Sequence, residues 1–143
     1  MITLSNPPGV PAPPAGRFSH VARVDLGGGA LLFVSGQVAL GDDGEVVAPG
    51  DMAGQSERVF ALLAGVLAGE GATFADVVNV RTAVTDMGRL AEYGAVRARY
   101  LADPPPTSTT VEVARLFRPE ALVEVDVVAA LPAGDASRRG PGR

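Results

Sequence analysis

The chain reads as an α+β domain in which two helices cover one face of a mostly hairpin-connected sheet. Three observations point there. Short runs rich in β-branched residues, several of them alternating, fall at residues 18–26, 30–35, 77–85, 107–116 and 123–129. Two longer stretches carry apolar residues at helical spacing. The resulting order, β-β-α-β-α-β-β, inserts both helices between strands, which a layered α+β arrangement accommodates.

Each element has a local reason. Residues 18–26 and 30–35 read as antiparallel strands turned at Gly27-Gly28-Gly29, and a second turn falls at Gly41-Asp42-Asp43-Gly44-Glu45. Asp51 stands where an N-cap belongs, because its carboxylate can accept from the first free amides of a helix. Behind it Val59, Phe60, Leu62, Leu63, Val66 and Leu67 form one stripe, which Gly69 and Gly71 end. Val78, Val80, Thr82 and Val84 alternate as a strand. Leu90, Tyr93, Val96, Tyr100 and Leu101 form the second helical stripe, closed by Asp103-Pro104-Pro105-Pro106. The last two strands are expected to form a hairpin through the turn Phe117-Arg118-Pro119-Glu120-Ala121. Val123, Val125, Val127 and Ala129 are the natural helix-facing set, with Glu124, Asp126 and Val128 on the opposite side.

At 143 residues the chain is expected to be one domain that buries about two thirds of its unfolded surface. Residues 1–15 read as an extended lead-in, 16–132 as the domain and 133–143 as a disordered tail, small, polar and basic. No apolar run approaches the roughly 20 residues a membrane helix needs. The first residues have neither the basic region nor the apolar core of a signal peptide, so a cytoplasmic location is expected.

Composition excludes several chemistries. All twelve cations are arginines, and there is neither lysine nor cysteine. Schiff-base catalysis, thiolate nucleophiles, disulfides and thiolate metal sites are therefore impossible. A single histidine, His20, cannot supply a histidine cluster, so neither metal nor cofactor is expected. Because His20 directly follows Ser19, the two alternate to opposite strand faces, and no Ser-His dyad is visible. Net charge of −4 argues against a general nucleic-acid surface. Gly27-Gly28-Gly29 joins two strands, and no Lys-Ser/Thr follows it, so it is not a phosphate loop.

Four motifs in order resemble the Rid/YjgF family of reactive intermediate deaminases, also known as L-PSP endoribonucleases. They are Gly16-Arg17-Phe18-Ser19-His20, Leu32-Phe33-Val34-Ser35-Gly36-Gln37, Val80 to Met87, and Val111-Glu112-Val113-Ala114-Arg115-Leu116. The resemblance runs from about Gly16 to Leu131. It implies a chorismate-mutase-like fold and a homotrimer, whose helix-free sheet faces pack around a threefold axis and whose small-molecule sites lie in clefts between subunits. It also implies that Glu124, in Val-Glu-Val-Asp, positions the water that hydrolyses the C=N bond of an imine or enamine.

The chain departs from the family's site pattern at three positions. The arginine that grips the substrate carboxylate would stand at Ser108, and the asparagine common on the second helix is Gly94. No arginine lies between Arg99 and Arg115, so a small slip of alignment restores nothing. Phe18 replaces a tyrosine, keeping an aromatic wall without its hydroxyl. The remaining pocket candidates are Phe18, Ser35, Gly36, Gln37, Ser108, Thr109 and Thr110. Two functions follow: a hydrolase of reactive imine-type intermediates, deaminase-like, with a non-standard site; or a ligand-binding or regulatory trimer that has lost deaminase activity. Without the strand arginine, clearance of simple imino acids is expected to be weak. RNA cleavage is least favoured by the acidic charge.

Overall fold

The computed structural model describes residues 1–134. Six strands form one sheet: β1 (Ile2–Ser5), β2 (Val21–Asp25), β3 (Gly29–Gln37), β4 (Val77–Val84), β5 (Thr107–Glu112) and β6 (Val123–Pro132), in the order β1-β2-β3-β6-β4-β5. Two helices, α1 (Met52–Gly69) and α2 (Leu90–Tyr100), pack against one face. Among the described residues no helix is long and apolar enough to cross a membrane.

The helices form where local chemistry asks for them. The Asp51 carboxylate accepts the Gly54 amide at 2.9 Å, capping α1. All six residues of its apolar stripe are buried. Phe60 stacks on Tyr100 at 5.0 Å between ring centroids, and on Tyr93 at 6.0 Å, which locks α1 to α2. The buried Tyr93 hydroxyl finds a partner in Thr82 Oγ1 at 2.6 Å, so this polar group enters the core satisfied.

Alternation along β6 comes out as the sequence indicates. Val123, Val125, Val127 and Ala129 are buried beneath the helices, while Glu124, Asp126 and Val128 lie on the opposite face.

The expected closing hairpin does not form. β6 lies between β3 and β4, antiparallel to both, and β5 pairs with β4 in parallel at the sheet edge. Two physical reasons favour this. β6 carries an unbroken apolar set, Val123, Val125, Val127 and Ala129, beneath the helices and so suits a central place, whereas Thr107-Ser108-Thr109-Thr110 is polar and suits an edge. The β4–α2–β5 segment is also long enough for a parallel crossover. The connection at 113–122 must therefore pass β4 instead of turning tightly. Gln55, fully buried on α1, pins its end by donating to the Glu120 carbonyl at 2.9 Å and accepting the Leu122 amide at 2.8 Å.

The lead-in carries a strand as well. Residues 2–5 form β1, antiparallel to β2, with Leu4 opposite Ala22. The tail from residue 135 onward lies outside the described residues.

Candidate functional site

The helix-free face of the sheet holds a shallow basin of about 680 Å³ bordered by Phe18, Phe33, Ser35, Gly36, Arg81 and Asp126. Its apolar side follows from strand register. Ile2, Val24, Leu31 and Ala130 form one cross-strand row, and Leu4, Ala22, Phe33 and Val128 the next. The polar side begins where β3 changes register between Val34 and Gln37. This irregularity brings Gly36 under the side chain of Glu124, and a Cβ at position 36 would collide with the Glu124 carboxyl. Burial pushes the Glu124 carboxyl above the usual carboxylate range, and neighbouring Asp126 pushes it the same way. Asp126 is itself held by Arg81, whose Nε donates to Oδ1 at 2.9 Å.

The other candidates divide. Phe18 is 43% exposed and stands at the basin, its ring edge-on to His20 at 6.0 Å. Ser35 lines the basin too, although its hydroxyl proton is committed to the Ser19 carbonyl at 2.6 Å. Gln37 is buried and turned inward. Its amide nitrogen donates to the Ser35 carbonyl at 3.1 Å and contacts His20 Nδ1 at 3.2 Å. His20 Nε2 contacts the Pro11 carbonyl at 2.7 Å, and a carbonyl only accepts. His20 is therefore protonated on Nε2, leaving Nδ1 to accept from Gln37. This chain of bonds fixes residues near 11 against β3, so His20 and Gln37 build the wall behind the basin.

The β5 residues lie elsewhere. Ser108 pairs with buried Val80 and Thr110 with buried Thr82, which places both on the helix-bearing side. Thr109 pairs with Arg81 and belongs to the open face. Within one chain, then, Ser108 and Glu124 occupy opposite faces of the sheet. Ser108 Oγ accepts from Arg97 of α2 at 3.0 Å. Arg115 lies beyond the end of β5 and is exposed, so it belongs to neither face.

Sequence reasoning missed Arg81, Asn79 and Arg97. Alternation along β4 already put Asn79 and Arg81 opposite the core set, which was the available signal. Nothing in the sequence joined Arg97 to Ser108, because that contact spans a crossover. A separate depression of about 270 Å³ beside Gly27, Gly28 and Gly29 is lined by Arg23, Asp25 and Glu70. Arg23 is paired with both acids there, at 2.9 and 3.7 Å, leaving no free cation for an anionic ligand.

Known proteins give this geometry a context. The model of the endoribonuclease L-PSP family matches residues 10–131. Protein DfrA of Myxococcus xanthus is 38% identical over 114 residues, covering 80% of this chain and 85% of that protein. A RutC family protein of Sulfurisphaera tokodaii is 30% identical over 115 residues, covering 80% and 88%. A solved Mycobacterium tuberculosis member of the YjgF/YER057c/UK114 family superposes with a TM-score of 0.72 at 31% identity, over 90% of this chain and 98% of that one. With the family model spanning most of the sequence and the fold shared, the chain belongs to the Rid/YjgF, or L-PSP, family.

Proposed function

We propose that this protein hydrolyses a small reactive imine, enamine or related intermediate, held in clefts between the subunits of a homotrimer. The observation that carries the reading is the Glu124 carboxyl, seated on Gly36 at the basin and shifted toward neutrality. An acid so tuned can take a proton from water as the water adds to the C=N carbon. It can return that proton to the nitrogen, giving a carbinolamine, and then relay the carbinolamine's hydroxyl proton to the departing nitrogen as the C–N bond breaks, leaving a carbonyl compound and ammonia. A pKa closer to working pH favours both transfers. Phe18 supplies an apolar wall, and Ser35 with Thr109 supplies neutral hydroxyls on the same face.

The homotrimer is supported by the open face itself. Ile2, Leu4 and Phe33 are 69%, 65% and 47% exposed within rows of apolar neighbours, a patch that a second copy would cover. Ser108 and Glu124, on opposite faces of one chain, can meet a single small ligand only when they come from different copies. The direct test is ammonia release from a freshly generated imino acid, comparing wild type with Glu124→Gln. Unchanged release would end the catalytic reading.

Ser108 and Gly94 favour a second reading, a ligand-binding or regulatory trimer without turnover. Under it, a small molecule would bind the same clefts, and no imine would be consumed faster than in buffer. RNA as substrate remains the least favoured reading, since the net charge is −4.

A further inference from the structure

A smaller cavity of about 30 Å³ adjoins the basin, and the two meet at Phe18 and Gly36, which border both. The Glu124 carboxyl rests on Gly36 at that junction. Segments distant in sequence enclose the slot. Pro11, Ala12 and Pro14 of the lead-in form one side, Leu40 and the buried Leu62 lie at its inner end, and Phe117 closes its outer end. Phe117 is 58% exposed in the 113–122 connection, an aromatic ring that no core claims.

The slot is apolar in effect. Its two polar borders, His20 and Gln37, are already engaged: both ring nitrogens of His20 and the amide nitrogen of Gln37 have protein partners. No charged side chain lines it. A polar substituent entering here would give up water and find no free side-chain donor, whereas an aliphatic one leaves water at a gain.

The walls are also stiff. Three prolines, at 11, 13 and 14, fix the lead-in backbone, and the 2.7 Å contact from His20 to the Pro11 carbonyl ties it down. The Arg118 guanidinium lies 5.7 Å from the centre of the Phe117 ring and holds that ring in place. Position 12 contributes only a methyl group, so the lead-in encloses the space without filling it. About 10–15 Å³ of such space takes one water, so the slot takes on the order of two methyl-sized groups, far short of the roughly 150 Å³ that holds a benzene ring.

We propose that the slot between Phe18 and Phe117 is a subsite for a short aliphatic substituent of the ligand, an ethyl or isopropyl group, and that Ala12 and Phe117 set its size limit. The inference rests on the proposed function and deepens it by naming the substrate class: imines or enamines with a short aliphatic arm, aromatic arms being excluded.

Neutral ketones are suitable probes, because a ketone is the carbonyl product of ketimine hydrolysis and carries no charged group. Acetone, 2-butanone, 3-methyl-2-butanone and phenylacetone are titrated into the full-length protein while leucine methyl signals are followed by NMR. The two branched or lengthened aliphatic ketones are expected to shift the Leu40 and Leu62 methyls. Half-saturation should fall about fourfold below that of acetone for each added carbon that enters the slot. Phenylacetone is expected to leave both signals in place. Ala12→Leu, at an exposed position, fills the slot from the lead-in and should bring the affinities for 2-butanone and acetone together. Phe117→Ala removes the outer wall and should let phenylacetone reach the two leucines.

Melting temperature reports whether a variant has lost its fold, and Phe117→Ala keeps the test decisive if Ala12→Leu is unstable. Equal half-saturation by acetone and 2-butanone, no shift at either leucine with any ketone, or phenylacetone binding there in wild type would overturn the inference. So would a stably folded Ala12→Leu that kept the preference for 2-butanone. Failure of the catalytic reading looks different: the ketone preference remains, but no imine is consumed and Glu124→Gln changes nothing.

Discussion

Leu32 and Phe33 are adjacent on β3, yet they live in different environments. Leu32 is fully buried beneath the helices, and Phe33 is 47% exposed on the far side. The same division runs through the whole sheet. On one face, Val34, Val80, Val123, Val125 and Val127 meet α1 and α2 and complete a core inside a single chain. On the other, apolar rows end at a polar corner of Ser35, Arg81, Glu124 and Asp126 that nothing among the described residues covers. The covered face is a stability device that the chain finishes alone. The open face carries the residues proposed for a site and for an interface together. A group there acquires an unusual pKa, as Glu124 does, by being partly buried without being part of the core.

The sharpest way to use this contrast is to change Glu124. If the open-face carboxyl handles water, Glu124→Gln lowers turnover by about 10²- to 10⁴-fold, measured as ammonia release from a reactive imine. The near-isosteric amide leaves the helix-covered core untouched, so circular dichroism should be that of wild type.

A paired experiment on the two β3 neighbours comes next. Leu32→Ala should cost about 2–5 kcal/mol in a denaturant melt, since it opens a cavity in a packed core. Phe33→Asp should instead leave the subunit folded and shift sedimentation from trimer to monomer, because it puts a charge into the apolar rows. If Phe33→Asp unfolded the chain while sedimentation of wild type returned a stable monomer, the open face would not be an interface.

Gly36→Ala tests the corner more finely. The added methyl meets the end of a flexible glutamate, so it moves the carboxyl more readily than the backbone. Turnover is expected to drop about tenfold or more, in line with the sensitivity of catalysis to small misplacements. Thermal stability should change little.

The smallest effect concerns pH and stability. A carboxyl whose folded pKa lies above its unfolded value binds more protons in the native state, so it destabilises the fold as pH rises from the unfolded pKa through the folded one. Wild type and Glu124→Gln should therefore melt alike in acid, with the variant slightly higher at neutral pH. The difference should stay within a few degrees, since about 1 kcal/mol moves Tm by roughly 2–8 °C in domains of this size range. A variant that melted lower than wild type at neutral pH would show that the carboxylate is stabilised in the fold.

Much of the covered face was legible in the sequence because its signals are local. The Asp51 cap, the α1 stripe and the β6 alternation each need only a window of one helix turn or one strand, and backbone geometry converts such spacing directly into a face. Glu124 was placed opposite the valines for the same reason, and the family motifs pointed to it independently. Which strand pairs with which was not local. The sequence suggested a β5–β6 hairpin because the two runs are consecutive, yet the unbroken buried set of β6 (Val123, Val125, Val127 and Ala129) and the polarity of β5 favoured a central and an edge position. β1 was missed because four residues, three of them exposed, next to a proline-rich stretch carry almost no periodic signal. Closing contacts between distant segments depends on the summed packing of the sheet, which no window contains. The sequence by itself therefore determined the two helices, the core set and the face on which Glu124 stands. Only the tertiary structure decided that Gly36 lies beneath that carboxyl, and that Arg97, eleven residues from Ser108 in the chain, reaches it from α2. Both contacts depend on register between elements, and register is set by packing the whole sheet at once.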